Sequence, residues 1–451
     1  MTADRFDRVS RRRVLLAGTA AVTGLAGCQT GGPAGRNGDD GRTTTGRSRD
    51  SGGDGSGDAD HARAENGDSS DGAGTTTETA TPRERPNTIF VDAASGTGGV
   101  GTADDPMGRL QRAVEAARPG TTVQVRPGEY REKLTTVRSG EPGAPITITG
   151  PAEAVVRGSR SDYGIVRIHH SHVHLRGLTL EGLLDPDHPD RLRSYIAGQL
   201  IQTRPPHQTD EYLEDIVLAP HNIGYSRKSL IGLERTKNAE IGPLRVTGLA
   251  GADYLVGDED DHNGELFYIG TALSNLGTDW HPWTDHDRTR NVRIHHIDNS
   301  AGHGHAEAVD FKEGTADITV EYLTDRGGGR VSDDDTPAAI SFKSHGGTAR
   351  WCDIGDAPVA VEFDFDHPDL AHDNHLYGNR IHAAGEAAVL AGGEPLAALS
   401  ADELDRFAGT GSLACGNEIG GVETHPAQTG CPADLPTSET LGHLGGESPW
   451  A

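Results

Sequence analysis

Lysine, aromatic side chains and positive charge are all scarce in this chain of 451 residues. Aromatic residues make up 5% and hydrophobic residues 34%, which argues against a helical bundle, whose core needs long apolar side chains. The formal net charge of −27 argues against nucleic-acid binding, which needs a basic surface. An acidic, lysine-poor surface suits a halophilic protein, and an arginine-favouring genome is the alternative explanation. The five lysines are Lys133, Lys228, Lys237, Lys312 and Lys343.

The apolar stretch at residues 14–26 falls short of the ~20 residues that span a bilayer. It follows three arginines, Arg11-Arg12-Arg13, and twin arginines before such a stretch resemble a Tat export signal. The stretch ends in Leu25-Ala26-Gly27-Cys28, which is similar to a lipobox and implies lipidation of Cys28. We therefore expect a Tat-type signal with lipobox at residues 1–28 and an extracellular, membrane-anchored lipoprotein.

Large apolar residues are nearly absent from residues 29–86. This segment consists mainly of Gly, Asp, Ser, Thr and Arg, with 11 acidic and 7 basic residues. Such a composition cannot bury a core, so we expect a disordered tether that holds a folded domain away from the membrane.

Cysteine is also scarce, with three residues beyond Cys28. Cys415 and Cys431 flank a Gly-rich loop and are the expected disulfide pair, because an exported protein can form disulfides. Cys352 lies inside a strand-like repeat and is expected to be a buried thiol. None of the cysteine spacings resembles a zinc site.

A repeat organises the sequence from position 87 onward. The motif apolar-x-apolar-x-x-apolar begins at Val173, Ala239, Val292, Ile318 and Ala349. A second strand type alternates with it at 266–270, 308–312, 339–343 and 360–364, with a weaker copy at 387–391. Two strand types alternating at spacings of 21 to 42 residues predict an all-β fold, a right-handed parallel β-helix. A β-sandwich is the alternative, but hairpin signals such as Asn-Gly are rare.

Short helices are predicted at both ends of the β-helix. Asp104-Asp105-Pro106 reads as a helix start with an acidic cap, and Pro119-Gly120 ends that helix. One helix followed only by strands is typical of the cap of a solenoid. We expect the β-helix at 87–391 and a C-terminal cap and tail at 392–451, with a helix near 396–407.

Aligning the second strand type by its apolar positions places charged residues in columns on one outer face. Lys312 and Lys343 then lie one coil apart, ~4.8 Å, with Asp310 beside them. Two such lysines should lower each other's pKa, as a neutral lysine base requires. The alternative is a solvated ladder in which the lysines pair with Asp310, Glu362 and Asp364.

Carboxylates near these lysines indicate a calcium site. Glu307 and Asp310 offer the oxygen ligands that Ca²⁺ prefers. The acidic loops 258–261 and 333–335 are weaker candidates, because an acidic surface carries many such runs. The histidines at 169, 170, 172 and 174 look like a metal motif, but without a neighbouring acid or cysteine we predict that they are simply exposed.

Two stretches resemble known β-helix enzymes. Residues 90–158, including Val-Gln-Val-Arg-Pro-Gly-Glu-Tyr at 123–130, resemble the entry to the pectate-lyase-like enzymes. A coil of the alginate lyase and chondroitinase B group is similar to residues 307–315, Glu-Ala-Val-Asp-Phe-Lys-Glu-Gly-Thr. In that group a glutamate binds calcium and a lysine five residues later is the base, which implies these roles for Glu307 and Lys312. A second glutamate of the group is His305 in this chain.

The same resemblance extends to the next coil. The group's Arg-His pair corresponds to Lys343 and His345. The family-9 pectate lyases place their base in a Phe-Lys segment, which would instead nominate Lys343.

The predicted function is β-elimination on a uronate-containing, acidic polysaccharide, in which a cation stabilises the enolate and a lysine removes the C5 proton. Lys312 is the predicted base, Lys343 and His345 are predicted to contact the carboxylate or the leaving group, and Glu307 and Asp310 are predicted to hold Ca²⁺. One alternative is a glycoside hydrolase, which needs two carboxylates ~5–9.5 Å apart. Another is a non-catalytic glycan-binding or structural envelope protein. The expected partners are the polysaccharide and the membrane, without nucleic acid, and the expected state is a monomer.

Overall fold

The structure is a computed structural model that describes residues 87–159, 163–206, 211–253, 264–304, 306–327, 338–355, 357–382, 387–420 and 431–436. The predicted signal with Cys28, the predicted tether at 29–86, His305 and the acidic loops 258–261 and 333–335 lie outside the described residues. Within the described ranges, no helix has the length and apolarity needed to cross a membrane.

Strands recur along the whole of the described chain, and most of them are short. In chain order they are β1 (Thr88–Val91), β2 (Thr122–Val125), β3 (Gly128–Tyr130), β4 (Leu134–Thr135), β5 (Ile146–Thr149), β6 (Ala154–Val156), β7 (Val166–Ile168), β8 (Val173–Arg176), β9 (Thr179–Glu181), β10 (Ile201–Thr203), β11 (Leu213–Ala219), β12 (Asn222–Gly224), β13 (Ile231–Leu233), β14 (Thr236–Ile241), β15 (Leu244–Val246), β16 (Phe267–Ile269), β17 (Arg290–Asn299), β18 (Val309–Phe311), β19 (Ala316–Asp325), β20 (Ala338–Phe342), β21 (Thr348–Arg350), β22 (Asp353–Ile354), β23 (Val359–Phe363), β24 (His375–Tyr377), β25 (Arg380–Ile381), β26 (Ala387–Ala391), β27 (Glu394–Pro395), β28 (Leu413–Cys415) and β29 (Glu418–Ile419). Two α-helices lie wholly within the described residues, α1 (Leu110–Ala116) and α2 (Ala401–Gly409), and 3-10 turns lie at Ala93–Ser95, Leu192–Ser194, Leu273–Asn275 and Leu396–Ala398.

These strands form three parallel ladders around one core. The first ladder joins β1, β2, β5, β8, β11, β14, β17, β19, β21, β24 and β28, and the second joins β3, β6, β9, β12, β15, β17, β19, β22, β25 and β29. The third is a ten-stranded sheet in the order β4-β7-β10-β13-β16-β18-β20-β23-β26-β27, in which β27 folds back antiparallel on β26. This architecture confirms the predicted all-β, right-handed parallel β-helix.

The register of the ten-stranded sheet is the alignment that the sequence predicts for the second strand type. Residues paired across β16, β18, β20 and β23 are Phe267, Val309, Ile340 and Val361. Two residues further along, Phe311, Phe342 and Phe363 stack with 5.1 Å between neighbouring ring centroids. Phe407 of α2 continues the stack at 5.2 Å from Phe363, so the helix extends the core.

The bends between strands depend on residues with positive φ. The position before the first apolar residue of the motif has φ between 52° and 55° in Asp215, Asn238, Asn291 and Asp317. Asn and Asp adopt this conformation more readily than most other side chains. A second bend carries His296, Tyr322 and Trp351 at φ 51–56°, and their rings stack at 4.8 and 5.3 Å.

Helix α1 begins later than predicted. Asp104-Asp105-Pro106 lie outside it, and the helix starts at Leu110. The carboxylate of Glu132 accepts hydrogen bonds from the N–H groups of Leu110 (3.0 Å) and Gln111 (3.2 Å). The acidic group therefore comes from beyond the helix, where rules based on the preceding residues cannot find it.

The parallel ladders continue past position 391, where we expected the β-helix to end. β28 pairs with β24, and β29 pairs with β25. Helix α2 takes the place of the helix predicted at 396–407, and its N-terminus is fixed by a capping box between Ser400 and Glu403. Cys415 in β28 is disulfide-bonded to Cys431, and Cys352 is a buried free thiol.

Replacing Phe342 by alanine should destabilise the fold by about 3–5 kcal/mol, because its ring is fully buried between Phe311 and Phe363. Phe365→Ala is the matched control, because Phe365 is only partly buried against the core and should cost less. The midpoint of urea unfolding, followed by circular dichroism, measures both effects. Equal shifts for the two variants would contradict the assignment of Phe342 to the central stack.

Candidate active site

The candidate site lies on the outer face of the ten-stranded sheet, across β16, β18 and β20. Asp310 is in register with Tyr268 on one side and with Ser341 on the other. Lys312 and Lys343 follow Asp310 and Ser341 by two residues, so the parallel register brings both lysines to the same position of the coil. Ion pairs join both of them to Asp310.

Asp310 is the centre of this cluster. The Nζ atom of Lys343 donates to Oδ1 of Asp310 at 3.0 Å, and Lys312 forms an ion pair with Oδ2. Glu307 lies further out, 3.8 Å from Lys343 Nζ. Burial would raise the pKa of Asp310, which is 1% exposed, but the charges of Lys312 and Lys343 outweigh burial and lower it. The carboxylate of Asp310 is therefore ionised between two cations.

The prediction that the two lysines lower each other's pKa is wrong. Burial favours a lower pKa for Lys312, but the charge of Asp310, followed by smaller contributions from its other neighbours, raises it well above the usual range. The pKa of Lys343 is also raised, because the attraction of Asp310 and Glu307 outweighs burial and the repulsion from Lys312. The prediction considered the lysine pair alone, whereas the structure places a carboxylate between them. Both amines are protonated in this arrangement.

Glu265 is a site residue that the sequence prediction missed. One oxygen each from Glu265, Glu307 and Asp310 lie within 4.8 Å of one another. Ser229 Oγ donates a hydrogen bond to Glu265 at 2.6 Å. Burial, and then the charge of Glu307, raise the pKa of Glu265 to about 7. A signal for it was present, because Glu265 precedes Phe267 by two residues just as Glu307 precedes Val309 in the next coil.

These three carboxylates can hold a metal ion. Their oxygens are the hard ligands that Ca²⁺ and Mg²⁺ prefer. Three acidic side chains face only two lysines in this cluster, and burial together with Asp310 also raises the pKa of Glu307. Such crowding of carboxylates fits a site that gains a further cation. Water molecules or substrate oxygens would have to complete the six to eight ligands of calcium, roughly half of the shell.

Tyr268 places a phenol ring beside Lys312. The Nζ atom of Lys312 lies 4.5 Å from the ring centroid, close enough for a cation–π interaction. Burial raises the pKa of Tyr268 above its usual value, although the charge of Lys312 opposes this. The hydroxyl therefore keeps its proton and can act as a hydrogen-bond donor.

His345 contacts His372 and not the two lysines. Its ring stacks on His372 with 5.1 Å between the centroids, and burial and then His372 lower its pKa. The charged groups that affect it most are His372, Asp317 and Asp373, and no lysine is among them. Asp364, one coil beyond Lys343, accepts a hydrogen bond from the backbone N–H of Asp366, and burial raises its pKa.

The predicted exposed histidines have a partner that the sequence did not reveal. His172 Nδ1 and His174 Nε2 each lie 3.0 Å from an oxygen of Asp215, and both histidines are half-buried. Asp215 lies 41 positions beyond His174 along the chain, so only the pairing of β8 with β11 reveals the contact.

Comparisons with known proteins support the fold. No family model matches the chain. The uncharacterized protein YwoF of Bacillus subtilis (strain 168) is 33% identical over 107 residues, which are 22% of this chain and 23% of that protein. The chain thus matches less than a quarter of that relative's length. The alginate lyase from Paenibacillus sp. str. FPU-7 has a similar structure, with a TM-score of 0.50 and 17% identity over 71% of this chain and 93% of that one. Pectate lyase Pel9A aligns with a TM-score of 0.42 and 10% identity over 76% of this chain and 82% of its own.

Calcium should stabilise this protein through Glu307, Asp310 and Glu265. At a free Ca²⁺ concentration of 100 times Kd, the folded state should gain about 2.7 kcal/mol. Glu307→Gln should reduce this gain, because it removes one charged ligand. Differential scanning calorimetry with and without calcium measures the effect, and Asp369→Asn, an exposed carboxylate, is the control. An equal calcium-induced shift in the wild type and in Glu307→Gln would exclude Glu307 as a ligand.

Proposed function

We propose that this protein is a polysaccharide lyase that cleaves a uronate-containing polymer by β-elimination. The observation that carries the proposal is the convergence of Lys312, Lys343 and three carboxylates on one outer sheet face, beside the phenol of Tyr268. An elongated outer face suits a linear polymer. The likeness to an alginate lyase agrees with this proposal, but at 17% identity it speaks only for the fold.

β-Elimination requires three functions, for which the cluster has candidates. We assign Lys343 to the C6 carboxylate of the substrate, where its charge would stabilise the charge that develops there. Lys312 is the proposed base, and its Nζ atom takes the C5 proton when the amine is in its neutral form. The C4–O bond then breaks, a C4–C5 double bond forms, and the leaving oxygen takes a proton from the Tyr268 hydroxyl. Tyr268 replaces His345 in this role, because His345 contacts His372 rather than the lysines.

The protonation of Lys312 sets a condition for this chemistry. A protonated amine cannot accept the C5 proton, and Asp310 keeps Lys312 protonated. A divalent cation held by Glu265, Glu307 and Asp310 would supply charge for the substrate carboxylate and would offset the negative charge around Lys312. Calcium dependence is accordingly part of the proposal.

A second candidate function is glycan binding without catalysis. It is favoured by the ion pairs themselves, because two protonated lysines around Asp310 also describe a purely structural ladder. A glycoside hydrolase through Asp310, Glu362 and Asp364 is the third reading, and it would release reducing ends without forming a double bond.

Lys312→Ala should abolish lyase activity, lowering kcat by ~10²–10⁴-fold, the usual contribution of a general base. The assay incubates the full chain with alginate, polygalacturonate and glycosaminoglycans in high salt with calcium, and records the ultraviolet absorbance of the new double bond. Lys237→Ala is the matched control, since Lys237 pairs with Glu214 on another ladder. Full activity in Lys312→Ala would rule out this base, and reducing ends without double bonds would favour hydrolysis.

We also propose that the protein is exported by the Tat pathway and anchored outside the cell by a lipid on Cys28. The twin arginine and the lipobox-like sequence support this proposal. Cys28→Ala should move the protein from the membrane fraction to the soluble fraction, because the anchoring group is lost. Cell fractionation and immunoblotting measure the change, with Cys352→Ala as the control. Retention of Cys28→Ala in the membrane fraction would contradict the anchor.

A further inference from the structure

A buried arginine lies on the same outer face as Lys312, Lys343 and Asp310, which we call the lysine cluster. It lies four coils before them. Arg167 in β7 occupies the register column of Asp310, at a separation of about 19 Å for four strand spacings. Arg167 is 7% exposed. It donates to neutral acceptors, the side-chain oxygen of Gln202 and the backbone oxygen of Tyr163, the latter at 2.8 Å.

Arg167 forms no ion pair within the described chain. A buried charge without an ionic partner is costly. Arg157 shows the usual solution, because it is 5% exposed and pairs with two carboxylates, Glu129 and Glu181. The charge of Glu234 acts on Arg167 without an ion pair between them, and Arg204 already binds both oxygens of Glu234 at 2.6 and 2.7 Å. Arg204 therefore occupies this carboxylate, and among the described residues Arg167 is left without one, in a chain whose net charge is −27.

Two aromatic residues with exposed side chains contact these arginines, Tyr163 through its ring and Trp280 through its backbone. Trp280 is 74% exposed and Tyr163 is 50% exposed. The Tyr163 ring lies 5.8 Å from the Arg167 guanidinium and 5.5 Å from Lys228 Nζ. The backbone oxygen of Trp280 accepts a hydrogen bond from Arg204 at 2.9 Å. Exposed aromatic side chains next to a buried arginine that has no ionic partner in the described structure suit a ligand with both carboxylates and apolar ring faces.

The segment that carries Trp280 is fixed to the β-helix at a second point. The guanidinium of Arg235 lies 4.8 Å from the ring centroids of both Tyr212 and Trp283. It also pairs with Asp285 at 3.2 Å. This packing holds the backbone that follows Trp280, and the hydrogen bond from Arg204 holds Trp280 itself, so less of this segment has to be ordered on binding.

We propose that Arg167, Trp280 and Tyr163 form a second binding site for the acidic polysaccharide, in which Arg167 binds the carboxylate of a uronate and the two rings pack against neighbouring sugar rings. This site is called the Arg167 subsite. The inference rests on the proposed function in one respect, that the ligand is an acidic polysaccharide. One linear chain that lies along the sheet face would then occupy both the lysine cluster and the Arg167 subsite.

Binding of defined oligosaccharides tests the Arg167 subsite without relying on catalysis. Isothermal titration calorimetry would compare long and short oligomers of alginate and of polygalacturonate, with dextran oligomers as the neutral probe, in the Lys312→Ala background. Arg167→Gln and Trp280→Ala should each weaken binding of the long oligomers by ~10-fold or more, the loss expected for one charge-assisted hydrogen bond or one aromatic contact. Short oligomers held by the lysine cluster alone should bind with unchanged affinity.

Two control variants separate the subsite from general loss of structure. Arg157→Gln removes an equally buried arginine, and Val100→Ala removes an exposed apolar side chain that is 68% exposed. Both should leave binding of long oligomers unchanged. If Arg167→Gln fails to fold, the ratio of long to short affinity in Trp280→Ala decides the question, because Trp280 is exposed.

The inference is overturned if the Arg167 and Trp280 variants bind long oligomers as the Lys312→Ala parent does, if the parent binds dextran equally well, or if it binds no acidic oligomer. Failure of the lyase proposal has a different signature. Absence of double bonds with Lys312 intact, combined with binding that depends on Arg167, would reject the lyase and support the subsite.

Discussion

Parallel hydrogen bonding at a spacing of ~4.8 Å forces equivalent residues of successive coils into contact, and both the core and the candidate site depend on this constraint. In the core it stacks the rings of Phe311, Phe342 and Phe363. On the outer face it brings Lys312 and Lys343 together, and Asp310 makes that proximity favourable. The same solution occurs on another ladder, where Glu321 lies between Arg293 and Arg350 at 2.7 and 2.8 Å.

The comparison between these two ladders shows what is special about the candidate site. Glu321 has its pKa lowered by its two arginines in spite of its burial, so its single carboxylate is fully paired in a structural network. Around Asp310 two further carboxylates crowd the cluster, and the pKa values of Glu265 and Glu307 move upward. Such crowding of buried carboxylates reduces stability and is found more often where a site binds or reacts. The long continuous core of the β-helix supplies the stability that offsets this cost.

The sequence was sufficient where the repeat itself fixed the geometry. The columns that contain Phe311, Asp310 and Lys312 follow from alternation and apolar spacing, and the structure has that register. The sequence did not predict contacts made by residues outside the aligned strand segments. Glu265 lies just before the aligned apolar residues, and Glu132 reaches helix α1 from a later part of the chain. The lysine pKa values depend on the burial of Asp310, which a pattern of alternating residues cannot supply.

The short strand β27 has a consequence for how far the ten-stranded sheet can extend. A parallel solenoid presents at its end a row of unpaired backbone groups on which another chain can add a strand. Here the chain itself turns back, and Leu390 and Ala391 of β26 face Pro395 and Glu394. Proline has no N–H group to offer, and glutamate adds charge at the edge. The last rung of this sheet is therefore a poor template for self-assembly, a protection against fibre formation that an exposed β-sheet protein needs throughout its lifetime.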